Sequence, residues 1–232
     1  MSIDRAEAAP FARAVSLFGF GAAAAGIPGR VVALDLCERI IIATIYGSFA
    51  WRMLQDYSGR ADISTVLIVI SEALPFLFVI LRAPSATLSQ RPIDWAVAIT
   101  ATIAPLIVQP NAASAGPLVP EALAYGIMLF GLCVQIAAKA VLGRGFGIVA
   151  ANRGVRQLGP YRFLRHPMYA GYTLAHVGFL LAMPSLFNGA VYALALILQL
   201  VRIAREERVL MRDPIYVEFA KRVRYRLLPG LY

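Results

Sequence analysis

Arg165, His166 and Tyr169 stand at the head of an apolar stretch, and Arg202, Glu206 and Glu207 stand at the tail of another. These residue types can bind and orient a ligand. Imidazole and carboxylate exchange hydrogen bonds with polar groups, and a guanidinium grips a carboxylate with two parallel bonds. Pro167 follows His166 directly, and proline is best tolerated in the first turn of a helix, where its missing N–H costs nothing. The stretch Arg165 to Gly171 therefore predicts a helix start. Free N–H groups and the positive dipole end at such a start can hold an anion. Tyr169, Tyr172 and His176 follow at spacings of three and four, which places them on one face. Two readings of that face stand side by side: membrane-belt tyrosines with a packed histidine, or a lined ligand site. Arg202 and Glu206 are four apart and also stack. As an exposed pair they would contribute only a few tenths of a kcal/mol.

The elements that must position these residues are membrane helices. The chain has 232 residues, 59% hydrophobic and 15% charged, too apolar for an ordinary soluble domain. The expected class is an all-α integral membrane protein with about six transmembrane helices, a C-terminal helical hairpin and a cytoplasmic polar pocket. Apolar runs at 34–54, 63–81, 93–109, 121–142, 168–183 and 187–204 supply the six candidate spans. They divide the chain into an N-terminal cytoplasmic arm (1–33), membrane helices one to four (34–141) and a C-terminal region of the last two spans and the tail (142–232). The arm is not expected to be a cleaved signal peptide, since Asp4 and Glu7 interrupt a basic start.

Charge sets the expected orientation. The net charge is +9, and all but two of the 22 cations are arginine. Segments 1–33, 82–92, 143–166 and 205–232 are arginine-rich, whereas 110–120 and 184–186 carry no charge. The alternation places both termini in the cytoplasm, most simply at a bacterial inner membrane. Arginines beside spans face anionic lipid, so nucleic acid is not an expected partner. Cys37 and Cys133 lie in apolar runs without metal-ligand spacing and are expected to be packing residues. No metal site is expected. Asp35, Glu38 and Arg39 are expected to pair locally, and Glu72 lies within the second run as either a bonded core residue or a functional one. Because the last two spans form a hairpin, His166 and Glu206, at its two open ends, should come together in a polar pocket.

Several motifs carry a resemblance. They are Leu142-Gly143-Arg144 with Phe146, Gly159-Pro160-Tyr161, Arg165 to Gly171, Glu206-Glu207-Arg208-Val209-Leu210, Tyr216 to Val223, and Leu228-Pro229. Across 142–230 the chain resembles the isoprenylcysteine carboxyl methyltransferase family and its relatives, the membrane phospholipid methyltransferases. Asp213-Pro214 and Tyr225-Arg226-Leu227 depart from the prenylcysteine pattern on the acceptor side. The resemblance implies S-adenosylmethionine as cofactor and a hydrophobic, lipidic or prenylated acceptor drawn from the membrane, methylated at a carboxylate. It implies a cofactor pocket of Tyr161, His166, Pro167, Tyr169, Gly171, Glu206, Glu207 and Tyr216. Arg202 and Glu206 are the implied catalytic residues. An amine or thiol acceptor stays open.

Two other classes compete. Membrane sterol reductases carry a similar Arg-His-Pro motif and use NADPH. A non-enzymatic transporter or assembly subunit would use neither cofactor. Gly143, Gly145 and Gly147 are spaced like a dinucleotide-binding loop, but they follow a membrane helix rather than a strand, so that reading fails.

Overall fold

A computed structural model describes residues 27–55, 77–79, 85, 87–109 and 116–230, and among them every regular element is a helix. In chain order these are α1 (Gly29–Gln55), α2 (Pro92–Ile103), α3 (Glu121–Leu142), α4 (Pro167–Ala182), α5 (Leu186–Leu210) and α6 (Pro214–Arg222). A short 3-10 turn, Ala104–Ile107, extends α2. Among the described residues two helices, α3 and α5, are long and apolar enough to cross a membrane. The second expected span, with Glu72, falls almost wholly outside the described residues.

Helix limits follow local chemistry. Pro92, Pro167 and Pro214 each occupy a first helical turn. Gly143 ends α3 at a φ of 51°, a conformation that a Cβ would strain. Helix α1 begins at Gly29, inside the segment expected to be an arm, because the Pro28 carbonyl accepts from the Val31 and Val32 N–H groups. Helix α5 continues beyond the apolar run ending at 204 to Leu210, so Glu206 and Glu207 are helical residues, as their place at its tail implies.

The closest helix pair is α3 with α4. A Cβ built on Gly131 would lie 2.5 Å from the Ala175 nitrogen, one on Gly171 2.6 Å from the Gln135 nitrogen, and one on Gly178 2.5 Å from the Met128 nitrogen. The two backbones therefore touch through three glycines, the small-residue packing that serves where lipid removes the hydrophobic drive between helices. The last two spans form the expected hairpin: residues 183–185 join α4 to α5, and Tyr169 with Glu206, Thr173 with Gln199 and His176 with Tyr192 meet along its length. Helix α4 packs along α3, and the bulky faces of α4 and α5 (Tyr169, Tyr172, His176 against Tyr192 and Arg202) line an open cleft between them. At the far end Asn188, fully buried, clamps the backbone of Gln109 with bonds of 3.0 and 2.9 Å.

One expectation is extended and another changes. Asp35 and Arg39 do pair, at 2.7 Å, and Glu38 reaches beyond that turn to accept from the Ile148 and Val149 N–H groups and from Arg153. Its carboxylate thereby pins the 146–154 loop onto α1. Cys37 and Cys133 are exposed on the outer faces of α1 and α3, so they do not pack the core.

Candidate active site

The start of α4 is built by the tail of the chain. The N–H groups of Arg165 and His166 donate to the carbonyls of Tyr225 and Arg226, both at 2.9 Å. The N–H groups of Tyr169 and Ala170 turn back to the His166 carbonyl, and Pro167 has none. Few backbone donors therefore remain for an anion, and side chains take over that role.

Glu206 and Glu207 are adjacent in sequence but differ in what they touch. Glu207 is 4% exposed. It accepts from Arg165 at 2.8 Å, from Arg226 at 2.6 Å, and from the His166 ring and the Tyr216 hydroxyl at 3.3 Å each. One carboxylate thus ties the α4 start, the end of α5, α6 and the tail together. Glu206 accepts through Oε1 from the Tyr169 hydroxyl at 2.5 Å and from Arg202 at 3.2 Å, and its other oxygen lies 3.8 Å from the His166 ring. Tyr169 is 2% exposed, and the Arg202 guanidinium stands over its ring at 5.2 Å from the centroid. Such a cation over an aromatic face is attractive and holds both groups in place. Burial pushes the phenols of Tyr161 and Tyr216 well above their usual range, with the nearby charge of Glu206 or Glu207 adding to the effect. Both stay neutral and keep an O–H to donate.

Two clefts meet at Met168 and Tyr169. The first lies at the arginine-rich end, between the 145–156 loop, Tyr161, His166, Glu206 and the α6 residues Tyr216 and Phe219. It encloses about 90 Å³ within an open cleft of about 720 Å³. Arg165 lines it, and the Arg165 Nε is buried with no hydrogen-bond partner. The second lies inside the helix bundle, walled by residues of α1 to α5, and holds about 290 Å³ within an opening of about 1300 Å³. Arg202 faces this second cleft. Its Nε is bound to Glu206 and its Nη2 to the Gly147 carbonyl, so Nη1 is the donor left over.

A family comparison bears on this arrangement. Residues 121–217 match the phospholipid methyltransferase family. The match supports a membrane methyltransferase and agrees with the resemblance drawn from the motifs. It covers α3, α4, α5 and the first residues of α6, the elements that carry the Glu206, Glu207, Arg202 and Tyr169 cluster. Among curated proteins no match is found.

Of the residues named from sequence, Tyr161, His166, Tyr169, Glu206 and Tyr216 line the first cleft, and Tyr169 and Arg202 line the second. Glu207 sits behind the first cleft as a tie between elements, Pro167 is buried at the α4 start, and Gly171 lies in the α3–α4 crossing. His176 stacks on Tyr192 with ring centroids 4.1 Å apart, within the second cleft. Sequence reasoning missed Arg226 and Gln135. Arg226 reaches Glu207 from the tail. Gln135 and, one turn on, the fully buried Lys139 are the two polar residues in the C-terminal half of an otherwise apolar helix, and that contrast is the signal that could have found them.

Proposed function

We propose that the protein is an S-adenosylmethionine-dependent methyltransferase that methylates a lipidic acceptor at a carboxylate. The observation that carries this reading is the meeting of the two clefts at Tyr169, with Glu206 and Arg202 held on either side. One cleft opens at the polar end, where a water-soluble donor arrives, and the other within the apolar bundle, where a lipid chain would lie.

The first cleft fits the donor's chemistry. The unpartnered Arg165 Nε suits its carboxylate, Glu206 suits its ammonium or ribose hydroxyls, and Tyr161 and Phe219 offer rings to its base. When bound, S-adenosylmethionine supplies a methyl group already activated on a sulfonium. The chain's own task is then alignment and exclusion of water. Tyr169 and Glu206 hold each other at the junction, and Glu206 in turn holds Arg202 through Nε. The spare Nη1 of Arg202 fixes an acceptor carboxylate pointing at the junction. A carboxylate held there would meet the donor's methyl group already deprotonated, so the chain would need to position it and need supply no general base. An amine acceptor would need to shed a proton and would meet the positive Arg202 first, which favours the carboxylate.

Methyl-labelled S-adenosylmethionine incubated with the purified protein and a total lipid extract tests the reading. Label in the lipid fraction that mild alkali releases as methanol marks an ester; alkali-stable label marks an amine product and overturns the carboxylate assignment. His166→Ala and Glu206→Ala should lose donor binding or turnover, and Arg202→Ala should lose turnover more than donor binding. If all three keep wild-type activity, the site is elsewhere.

A further inference from the structure

The second cleft holds polar groups that its apolar walls do not require. Gln135 on α3 is 2% exposed, and its Oε1 is buried without a hydrogen-bond partner. A buried amide left unsatisfied is costly, and a leucine would fill the same space without that cost. Gln135 cannot swing into α4, because the glycine contact at Gly171 brings the two helices to backbone distance there. Across the cleft, Gln199 on α5 is 4% exposed. Its Oε1 accepts from Thr173 at 3.4 Å, and its amide N–H groups remain available to the cleft.

Depth relates these amides to the junction. Gln199 precedes Arg202 by three residues, about 4.5 Å along the helix. Gln135 abuts Gly171, two residues beyond Tyr169, about 3 Å along α4. Both amides thus lie about 3–4.5 Å deeper, less than one turn, than the group that would hold the acceptor carboxylate. One amino-acid unit spans about 3.5 Å, which matches that step. A secondary amide presents one N–H and one C=O together. The cleft offers one acceptor at Gln135 and donors at Gln199, so it complements both. Farther in, Leu106, Val108 and Phe179 give an apolar wall for a chain.

Building on the methyltransferase reading, we propose that the acceptor is an N-acyl amino acid: a fatty chain joined by an amide to a small head whose carboxylate is methylated, with Gln135 and Gln199 recognising the amide. Gln135 and Gln199 are specificity residues here; neither touches the reacting atoms.

The test compares N-palmitoylglycine with its ester isostere, O-palmitoylglycolate, which differs only in having oxygen in place of the amide N–H. The full-length protein in detergent, with labelled S-adenosylmethionine, should show kcat/KM about tenfold higher for the amide, the scale of one well-made hydrogen bond to an otherwise unsatisfied group. N-Palmitoylglycine should also raise the melting temperature more than the ester does. In Gln135→Leu the preference should shrink to within about twofold, through a higher KM for the amide. That variant removes a buried unsatisfied group and so should fold; Gln199→Leu, which removes the donors to the carbonyl that both compounds share, should raise KM for both and leave the preference in place, and an unchanged KM for both overturns the role of Gln199. Equal rates for both compounds, or a preference that survives Gln135→Leu, overturns the amide assignment. Neither compound methylated while S-adenosylhomocysteine still stabilises the protein also overturns it and leaves the methyltransferase reading intact. No methylation and no stabilisation by S-adenosylhomocysteine overturns both.

Discussion

Replacing Glu207 with alanine removes the carboxylate on which Arg165, His166, Tyr216 and Arg226 converge. The contact with Arg165 dominates the cost, since the two side chains are 8% and 5% exposed. Breaking a buried pair by deleting one partner costs about 3–5 kcal/mol, because the remaining charge is left without compensation. Arg165 is poorly placed to recover, as its Nε already lacks a partner. The Arg226 contact adds little, because that side chain is 37% exposed and can return to water. A loss of about 3 kcal/mol in a chain of this length lowers the melting temperature by roughly 6–12 °C. Arg226 and Tyr216 would lose a side-chain anchor to α5, so trypsin should cut at Arg222, Arg224 or Arg226 sooner than in the wild type. Glu207→Gln, which keeps the shape and the accepting oxygen, should lose less. Thermal unfolding by circular dichroism and timed proteolysis read both effects. A melting temperature within about 2 °C of wild type with an unchanged cleavage pattern would refute the role of Glu207 as the tie.

Tyr169→Phe removes the hydroxyl that holds Glu206 at 2.5 Å but keeps the ring under Arg202, so turnover should fall about tenfold or more while the fold persists; steady-state kinetics and a melting curve check this. Gly171→Leu drives a side chain into the Gln135 backbone 2.6 Å away, and overpacking of this kind should cost at least about 1–3 kcal/mol, visible as a lower melting temperature. Asp213→Ala loses the α6 cap to the Ile215 N–H at 2.9 Å and the bond from Asn152 at 2.6 Å, for about 1–2 kcal/mol and faster proteolysis of the tail. Burial raises the folded phenols of Tyr161 and Tyr216 above their unfolded value near 10. Their contribution is therefore complete below pH of about 10 and is lost as pH climbs toward the raised values, so the melting temperature should decline above about pH 10.

Part of the architecture was readable because long apolar runs announce helices, and α3 and α5 are long and apolar enough to cross a membrane. The run 121–142 coincides with α3, and Pro167 marks the start of α4 as its chemistry requires. The approach of His166 to the Glu206–Glu207 pair was also legible, since two spans joined by a short turn return their open ends to one level. What was hidden depends on partners far apart in the chain. Nothing local distinguishes Glu207, bound by four side chains, from Glu206, which faces the cleft; the difference is made by Arg226 and Arg165 arriving from other elements. Asp35, Glu38 and Arg39 read as a local cluster because they lie within one helical turn or so, and nothing near them in sequence shows that the Glu38 carboxylate also takes two backbone N–H groups from a loop 110 residues later. The pairing of α3 with α4 rests on three glycines whose meaning appears only when both helices are in view.

Thermal unfolding of the detergent-purified protein with S-adenosylhomocysteine, and in parallel with NADPH, tests the central claim most directly. A ligand at 100 times its dissociation constant stabilises the state that binds it by about 2.7 kcal/mol. The methyltransferase account predicts a shift with S-adenosylhomocysteine and none with NADPH, and it predicts that Glu206→Ala weakens the shift. Stabilisation by NADPH alone, or by neither, would contradict it.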